Sequence, residues 1–234
     1  MIKKVIFRCD AGSMTEIGSG HIVRSINLAN ALVIRGFLLR SEIVFYTRGD
    51  KRYLLGDKLL MKSGFEYKVF SRNELKSNSI SEINILKSSS ANLIFMDRLE
   101  TTRELVKKIT NEGKKIVTFD DYGSGRMFAN LAICAILNDL PDSRNLYKGY
   151  DYLILSNNLY KLSEFKNIPN KIVATFGGYD ARNLCQHFLD NISALPNYFS
   201  VDIILGNIKN LKLENYLDQI VSMKMQDRVS IHNR

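Results

Sequence analysis

The chain has 234 residues, 45% of them hydrophobic, and its 33 lysines and arginines exceed its 24 aspartates and glutamates, giving a formal net charge of +9. This length suits one large domain or two small ones. No run approaches the ~20 apolar residues that span a bilayer, which argues against membrane insertion. The basic residues are diffuse, without a dense run, so nucleic-acid binding ranks last among the partner classes.

The N-terminus and the cysteines indicate the compartment. Two lysines near the N-terminus precede only a strand-length apolar run, so we expect no signal peptide. Cys9, Cys134 and Cys185 are far apart and form no CxxC pair. This usage is typical of buried thiols in a reducing, cytoplasmic setting. The three histidines are also far apart, so we predict no metal centre.

Strand-like and helix-like segments alternate through the first 136 residues. Short apolar runs predict strands at residues 3–10, 41–47, 66–70, 91–97, 115–120 and 131–136. Apolar residues at helical spacing predict helices at 22–35, 54–63 and 79–87, and a fourth that ends at Gly113. The segment from Thr101 to Glu104 matches a capping box and is expected to open that fourth helix.

This alternation predicts an α/β fold with a doubly wound parallel sheet. In such sheets, ligands bind beyond the carboxyl ends of the strands. Four acidic residues end predicted strands and are therefore candidate substrate-binding residues: Asp10, Asp97, Asp120 and Asp121.

The alternation weakens over about residues 138–170, where Pro141 and Pro169 interrupt the pattern. It resumes with predicted strands at 171–178, 201–206 and 228–232 and helices at 180–195 and 211–223. We therefore expect an N-terminal Rossmann-like domain over residues 1–150, a linker over 151–170 and a partial C-terminal domain over 171–234.

The stretch DAGSMTEIGSGHIVR joins the first predicted strand to the first predicted helix. Gly18, Ser19 and Gly20 precede a helix N-terminus, whose free N–H groups and dipole favour an anion such as a phosphate. His21 follows and is a candidate general base, while Arg24 lies one turn further on. A tight turn, in which His21 only caps the helix or donates a hydrogen bond, remains the simpler alternative.

A second glycine turn, TFGGYD, follows the predicted strand at 171–178. Gly177 and Gly178 would allow a ligand close to the backbone, with Asp180 and Asn183 nearby. On spacing alone, an ordinary strand–helix turn capped by Asp180 is favoured.

The N-terminal segment FRCDAGSMTEIGSGHIVRSINLANAL resembles the corresponding motif of the nucleotide-sugar hydrolases of pseudaminic acid synthesis. These are the PseG/SpsG-like UDP-2,4-diacetamido-2,4,6-trideoxy-β-L-altropyranose hydrolases. Three later segments resemble further family motifs in the same order: LIFMD, TFDDYGSGRMFANLAICAILN and TFGGYDARNL. The matching N-terminal residues are Phe7, Arg8, Asp10, Ile17, Gly18, Gly20, His21, Arg24, Leu28 and Ala29.

This resemblance implies a GT-B fold, in which two Rossmann-like domains face a cleft, as in the glycosyltransferase MurG. It implies release of UDP by attack of water at the anomeric carbon with inversion, without a cofactor. His21 would activate the water, and Asp10 and the Gly18–Gly20 turn would line the sugar and phosphate side. We also expect the C-terminal domain to be truncated and completed by self-association or by a partner chain.

Two alternatives stay open beside the hydrolase. Leu99 stands where the family has a tyrosine two residues after the strand-end aspartate, which keeps a GT-B glycosyltransferase in consideration. The third reading is a catalytically inactive protein that only binds a sugar nucleotide. A hydrolase yields free sugar and UDP, a transferase yields a glycoside and UDP, and the inactive protein yields neither.

Overall fold

The structure is a computed structural model that describes residues 4–12, 18–51, 53–136, 139–157, 159, 168–178, 180, 182–206 and 210–233. The chain divides into two compact units, Met1–Gly12 with Ser19–Lys161 and Ser13–Gly18 with Leu162–Arg234. Within the described ranges, no helix is both long and apolar enough to cross a membrane. Ile17 of the N-terminal motif and part of the expected linker (158 and 160–167) lie outside these ranges.

A parallel sheet forms the first unit. Its strands are β1 (Val5–Cys9), β2 (Ile43–Arg48), β3 (Glu66–Phe70), β4 (Leu93–Asp97), β5 (Lys115–Phe119), β6 (Leu131–Cys134) and β7 (Leu146–Lys148). Their order is β3-β2-β1-β4-β5-β6-β7, and every neighbouring pair is parallel. The order reverses between β1 and β4, and open α/β sheets bind ligands at such a point.

Helices connect these strands. They are α1 (Gly20–Ile34), α2 (Leu54–Ser63), α3 (Ile80–Ser88) and α4 (Arg103–Thr110), with short 3-10 turns at Arg40–Glu42, Ser124–Phe128 and Tyr150–Tyr152. Helix α1 begins two residues earlier than predicted, which places His21 inside its first turn.

The predicted capping box at Thr101 is wrong by one residue. Thr102 is the N-cap of α4, and its side chain accepts a hydrogen bond from the N–H of Leu105. Thr101 is instead held by Asp121, to which both its hydroxyl and its N–H donate. A tertiary contact therefore selects which of two adjacent threonines caps the helix.

The sheet carries a core on each face, as its doubly wound topology requires. On the α1 face, Phe7 stacks against Phe45 and Phe95 at centroid distances of 5.0 and 4.6 Å. On the α3 face, Ile6 and Met96 pack with the apolar residues of α3 and α4. Because side chains alternate along a strand, neighbouring residues at the strand ends point to opposite faces.

The second unit has a smaller parallel sheet. Its elements are β8 (Lys171–Thr175), α5 (Leu184–Asn191), a 3-10 turn (Ile192–Ala194), β9 (Ser200–Leu205), α6 (Asn210–Ser222) and β10 (Val229–Asn233), and the strand order is β10-β9-β8. Its core includes Leu189, Ile203 and Tyr216. The helix predicted from residue 180 begins at Leu184, because Asp180 precedes the helix and caps it.

One strand of the first sheet was not predicted from the sequence. Strand β7 lies within the region expected to be irregular, yet it pairs with β6 through Ala132, Ile133 and Cys134. It is only three residues long, with the sequence Leu-Tyr-Lys, so it is too short to form an apolar run that predicts a strand.

Candidate active site at the carboxyl edge of the first sheet

The N-terminus of α1 lies directly after the β1 loop and presents free backbone donors. The first intrahelical bond runs from Val23 N–H to the Ser19 carbonyl at 3.0 Å. The N–H groups of Gly20, His21 and Ile22 have no acceptor among the described residues, and the Ser19 side chain forms no cap hydrogen bond. Such donors together with the helix dipole favour an anionic ligand.

The two glycines before His21 leave open space at this helix end. A Cβ on Gly18 or Gly20 would meet no atom within 4 Å. Neither glycine is among those with positive φ in the described part of the chain. The described packing and backbone therefore do not require glycine at either position, which agrees with close approach of a ligand to the backbone.

His21 and Asp97 form a hydrogen-bonded pair. The distance from His21 Nδ1 to Asp97 Oδ1 is 2.7 Å, and the side chains are 20% and 1% exposed. Because a carboxylate only accepts hydrogen bonds, the matching neutral tautomer carries its proton on Nδ1. Nε2 is then the basic nitrogen, as general-base chemistry requires.

Arg24 fixes the carboxylate that orients His21. Its Nε and Nη2 donate to the two oxygens of Asp97 at 2.9 and 2.6 Å, and its Nη1 donates to Asp120. Ser25 Oγ adds a fourth donor to Asp97 at 3.2 Å. Burial lowers the pKa of Arg24, but the hydrogen bonds and charges of Asp97 and Asp120 outweigh it, so the pKa is raised.

The two aspartates after β5 accept hydrogen bonds from the backbone of neighbouring loops. Asp120 has a positive φ of 43° and accepts the N–H of Ile136 at 3.1 Å. Asp121 is fully buried and accepts from the N–H groups of Thr101 and Gly123 at 2.9 and 2.8 Å. Burial raises the pKa of Asp121. Asp121 therefore ties the loop after β5 to the loop after β4.

Asp10 belongs to a different cluster, which reaches α3. One of its oxygens accepts from Arg8 Nη1 at 2.7 Å, and the other accepts from Arg48 Nε at 2.9 Å. Arg8 Nε also donates to Glu82 at 2.7 Å. Burial alone would raise the pKa of Asp10, but Arg8 and Arg48 outweigh it and lower the pKa to about 2. Both carboxylate oxygens of Asp10, which was predicted to line the sugar and phosphate side, are thus already bound to arginine.

The low pKa of Asp10 predicts a pH-dependent part of the folding stability. The folded value of about 2 lies below the ordinary 3.8, so this stabilisation is complete above about pH 4 and is lost as the pH falls toward 2, in all about 2 kcal/mol. Urea unfolding at several pH values should show a steeper acid decline for the wild type than for Asp10→Asn. Equal declines would contradict the assignment.

The glycine turn of the second unit is a capped helix start. Asp180 accepts from the N–H groups of Leu184 and Cys185 at 2.8 and 2.9 Å. Gly177 has a φ of +77°, and a Cβ on Gly206 would lie 2.5 Å from the Gly177 carbonyl oxygen. Gly206 follows β9 and was not predicted, although a glycine at a strand end is a signal of close backbone approach.

Four predicted residues therefore meet in one hydrogen-bonded cluster: His21, Arg24, Asp97 and Asp120. Asp10 and Asp121 lie in separate networks of the same unit. Gly18, Gly177, Gly178, Asp180 and Asn183 belong to the second unit. In the described part of the chain, no three His, Cys, Asp or Glu residues are grouped to hold a metal ion.

Four buried charged residues near the site were not predicted from the sequence: Arg8 and Glu82, which form an ion pair, Arg48 at the end of β2, and Arg98, which follows β4. Arg8 matched the family motif but was given no role. A charged residue inside the otherwise apolar run VIFRC is the signal that could have revealed it, because such a residue is rarely buried without a partner.

The sequence of this chain is similar to part of a longer protein. No family model matches the chain. The uncharacterized protein MJ1062 of Methanocaldococcus jannaschii is 27% identical over 235 residues, which cover 93% of this chain and 46% of that protein. The chain thus spans about half the length of this curated relative.

Solved protein structures share the architecture. Alr3699/HepE of Anabaena in complex with UDP has a TM-score of 0.56 at 13% identity, over 98% of this chain and 69% of that one. MurG of Acinetobacter baumannii has a TM-score of 0.56 at 11% identity, over 99% and 67%. The α/β fold with parallel sheets, of the type found in GT-B glycosyltransferases, is therefore confirmed.

Proposed function

We propose that this protein acts on a UDP-linked sugar and releases UDP. The observation that carries the proposal is the His21–Asp97 pair at the open N-terminus of α1, beside the point where the strand order reverses. It is supported by structural neighbours solved with UDP and with UDP-glucose, and by four sequence motifs in family order.

In the proposed reaction, His21 Nε2 takes a proton from water while the water oxygen bonds to the anomeric carbon. The bond from that carbon to the UDP oxygen breaks, and UDP leaves with the electron pair. Asp97 is a positioning residue, because it holds Nδ1–H and stabilises the imidazolium. Arg24 and Asp120 hold Asp97, and the Gly18–Ser19–Gly20 backbone faces the phosphate side.

The finer assignment is a hydrolase of a UDP-linked acetamido-deoxy sugar for surface glycans of the pseudaminic acid type. It is supported by the N-terminal motif around His21. We assign residues 1–150 to the reacting sugar and residues 171–234, through Gly177, Gly178, Asp180 and Asn183, to the nucleotide, with 151–170 as the linker.

A GT-B glycosyltransferase is the second candidate. It is supported by structural neighbours that are themselves glycosyltransferases and by Leu99 at the position of the family tyrosine. In this case a sugar hydroxyl replaces water, and His21 removes its proton in the same way.

The products separate these candidates. Incubation with a panel of UDP-sugars, with UDP measured by chromatography and the sugar product by NMR, should give UDP and free sugar of inverted configuration. UDP release that requires an added acceptor would assign the transferase. Binding of UDP-sugars without any UDP release under either condition would contradict both catalytic assignments.

A further inference from the structure

The α3 face of the carboxyl edge holds a buried network of five charged side chains. Three guanidinium groups (Arg8, Arg48 and Arg98) meet two carboxylates (Asp10 and Glu82), and each of these residues is at most 9% exposed. Their hydrogen bonds form a chain from Arg48 through Asp10, Arg8 and Glu82 to Arg98. Within these hydrogen bonds the guanidinium groups therefore outnumber the carboxylates by one, while a further buried carboxylate, Asp121, interacts with Arg98 through its charge alone.

The excess charge lies on Arg98, at the end of the chain of hydrogen bonds. Only its Nη1 is used, donating to the two Glu82 oxygens at 2.8 and 2.9 Å. Its Nε and Nη2 are buried and have no hydrogen-bond partner among the described residues. Burial lowers the pKa of Arg98, because the nearby charges do not offset the loss of water. A buried cation with three unused N–H bonds is costly unless an acceptor completes it.

The position of Arg98 indicates which kind of acceptor its unused N–H groups would bind. Arg98 follows the last residue of β4, Arg48 ends β2, and Asp10 follows β1, so the network lies at the carboxyl edge beside the β1–β4 reversal. Nε and Nη2 form one edge of the guanidinium fork, whose spacing matches two oxygens of a carboxylate or phosphate. The side chain as a whole keeps 10% of its surface exposed, but Nε and Nη2 are themselves buried, so an oxyanion reaches them only when neighbouring side chains move aside.

We propose that Arg98 is the anchor of an oxyanion-binding subsite that receives a phosphate or carboxylate group. The subsite is separate from the His21 cluster: Arg98 pairs with Glu82 of α3, whereas Asp97, one residue earlier, pairs with His21 and Arg24 of α1. The oxyanion binds the free guanidinium edge and neutralises the excess charge. The subsite does not depend on the proposed UDP chemistry.

The Arg98→Met variant distinguishes a ligand-binding role of Arg98 from a purely structural role. The substitution leaves Arg8 and Arg48 to balance Asp10 and Glu82, and Asp121 keeps its hydrogen bonds from Thr101 and Gly123. We therefore expect the variant to fold and to keep the wild-type melting temperature or exceed it in chloride buffer. A structural salt bridge, in contrast, would be lost with strong destabilisation.

Thermal unfolding of the full chain tests the subsite with inorganic phosphate and, in a parallel arm, acetate, each against chloride at equal ionic strength. We expect at least one anion to raise the wild-type melting temperature in a saturable way, and Arg98→Met to weaken its apparent Kd about tenfold or more. A larger effect of phosphate assigns a phosphate group, and a larger effect of acetate assigns a carboxylate.

Two control variants complete the design. Arg35→Met should keep the full anion effect, because Arg35 is the exposed C-cap residue of α1 and takes no part in the network. Arg98→Lys keeps the charge without the fork and should bind the anion more weakly than the wild type.

Three results would overturn the subsite. The first is equal stabilisation of wild type and Arg98→Met by the anion. The second is no stabilisation of the wild type by either anion beyond chloride. The third is failure of Arg98→Met to fold, together with full anion binding by Arg98→Lys.

Discussion

Replacement of His21 by alanine should reduce UDP release from a UDP-sugar by a factor of about 10² to 10⁴, the usual contribution of a positioned general base. The side chain is 20% exposed, and among the described residues its one hydrogen-bond partner is Asp97. Because Asp97 keeps Arg24 and Ser25 as partners, no buried group is left unpaired. The melting temperature should therefore change little while turnover falls.

His187 provides the matched control for this experiment. It lies on α5 in the second unit and is exposed, so His187→Ala should release UDP at the wild-type rate. A second comparison, His21→Gln, keeps a polar side chain without a titrating ring and should be as inactive as alanine. Wild-type turnover by either His21 variant would remove His21 from the mechanism.

Replacement of Arg24 by leucine should give a large loss of stability. Arg24 is the shared cation between Asp97, which is 1% exposed, and Asp120. Its removal leaves the negative charges of two largely buried carboxylates without their bridging cation. Breaking a buried ion pair from one side typically costs about 3–5 kcal/mol, so urea unfolding should show a loss of that order.

Arg35→Leu is the control for Arg24→Leu, because Arg35 is the exposed C-cap residue of the same helix. Exposed substitutions of this kind usually change stability by about 0.5 kcal/mol or less. Arg24→Lys keeps the charge but not the two-pronged geometry and should fall between wild type and leucine. Equal stability of Arg24→Leu and Arg35→Leu would contradict the role of Arg24 as a clamp.

Local patterns in the sequence were sufficient to predict the approximate positions of the helices and of most strands. Helix α2 and strand β3 have the predicted bounds, because their apolar spacing is set by neighbours a few residues away and Gly64 ends α2 with a φ of +71°. The strand-end rule placed Asp97 and Asp120 at one edge correctly, since the carboxyl ends of parallel strands coincide. Strand β7 was missed because its pairing with β6 depends on the sheet and not on its own sequence.

The partners of the site residues were not predictable from local patterns. His21 and Asp97 are 76 residues apart in sequence, and their contact follows from the packing of α1 on the sheet. Asp97 and Arg98 are adjacent but serve different clusters, because alternating side chains point to opposite faces. Asp10, predicted to line the sugar and phosphate side, is bound by Arg8 and Arg48, whose roles appear only when β1 and β2 are paired.

Calorimetric titration of this chain with UDP is the most direct test of the central claim, that the protein binds and acts on a UDP-linked sugar. We predict saturable UDP binding with a Kd in the micromolar range, retained in His21→Ala because the base contacts the attacking water and not the nucleotide. A folded protein that shows no heat of binding with UDP, and none with a UDP-sugar, would contradict the claim.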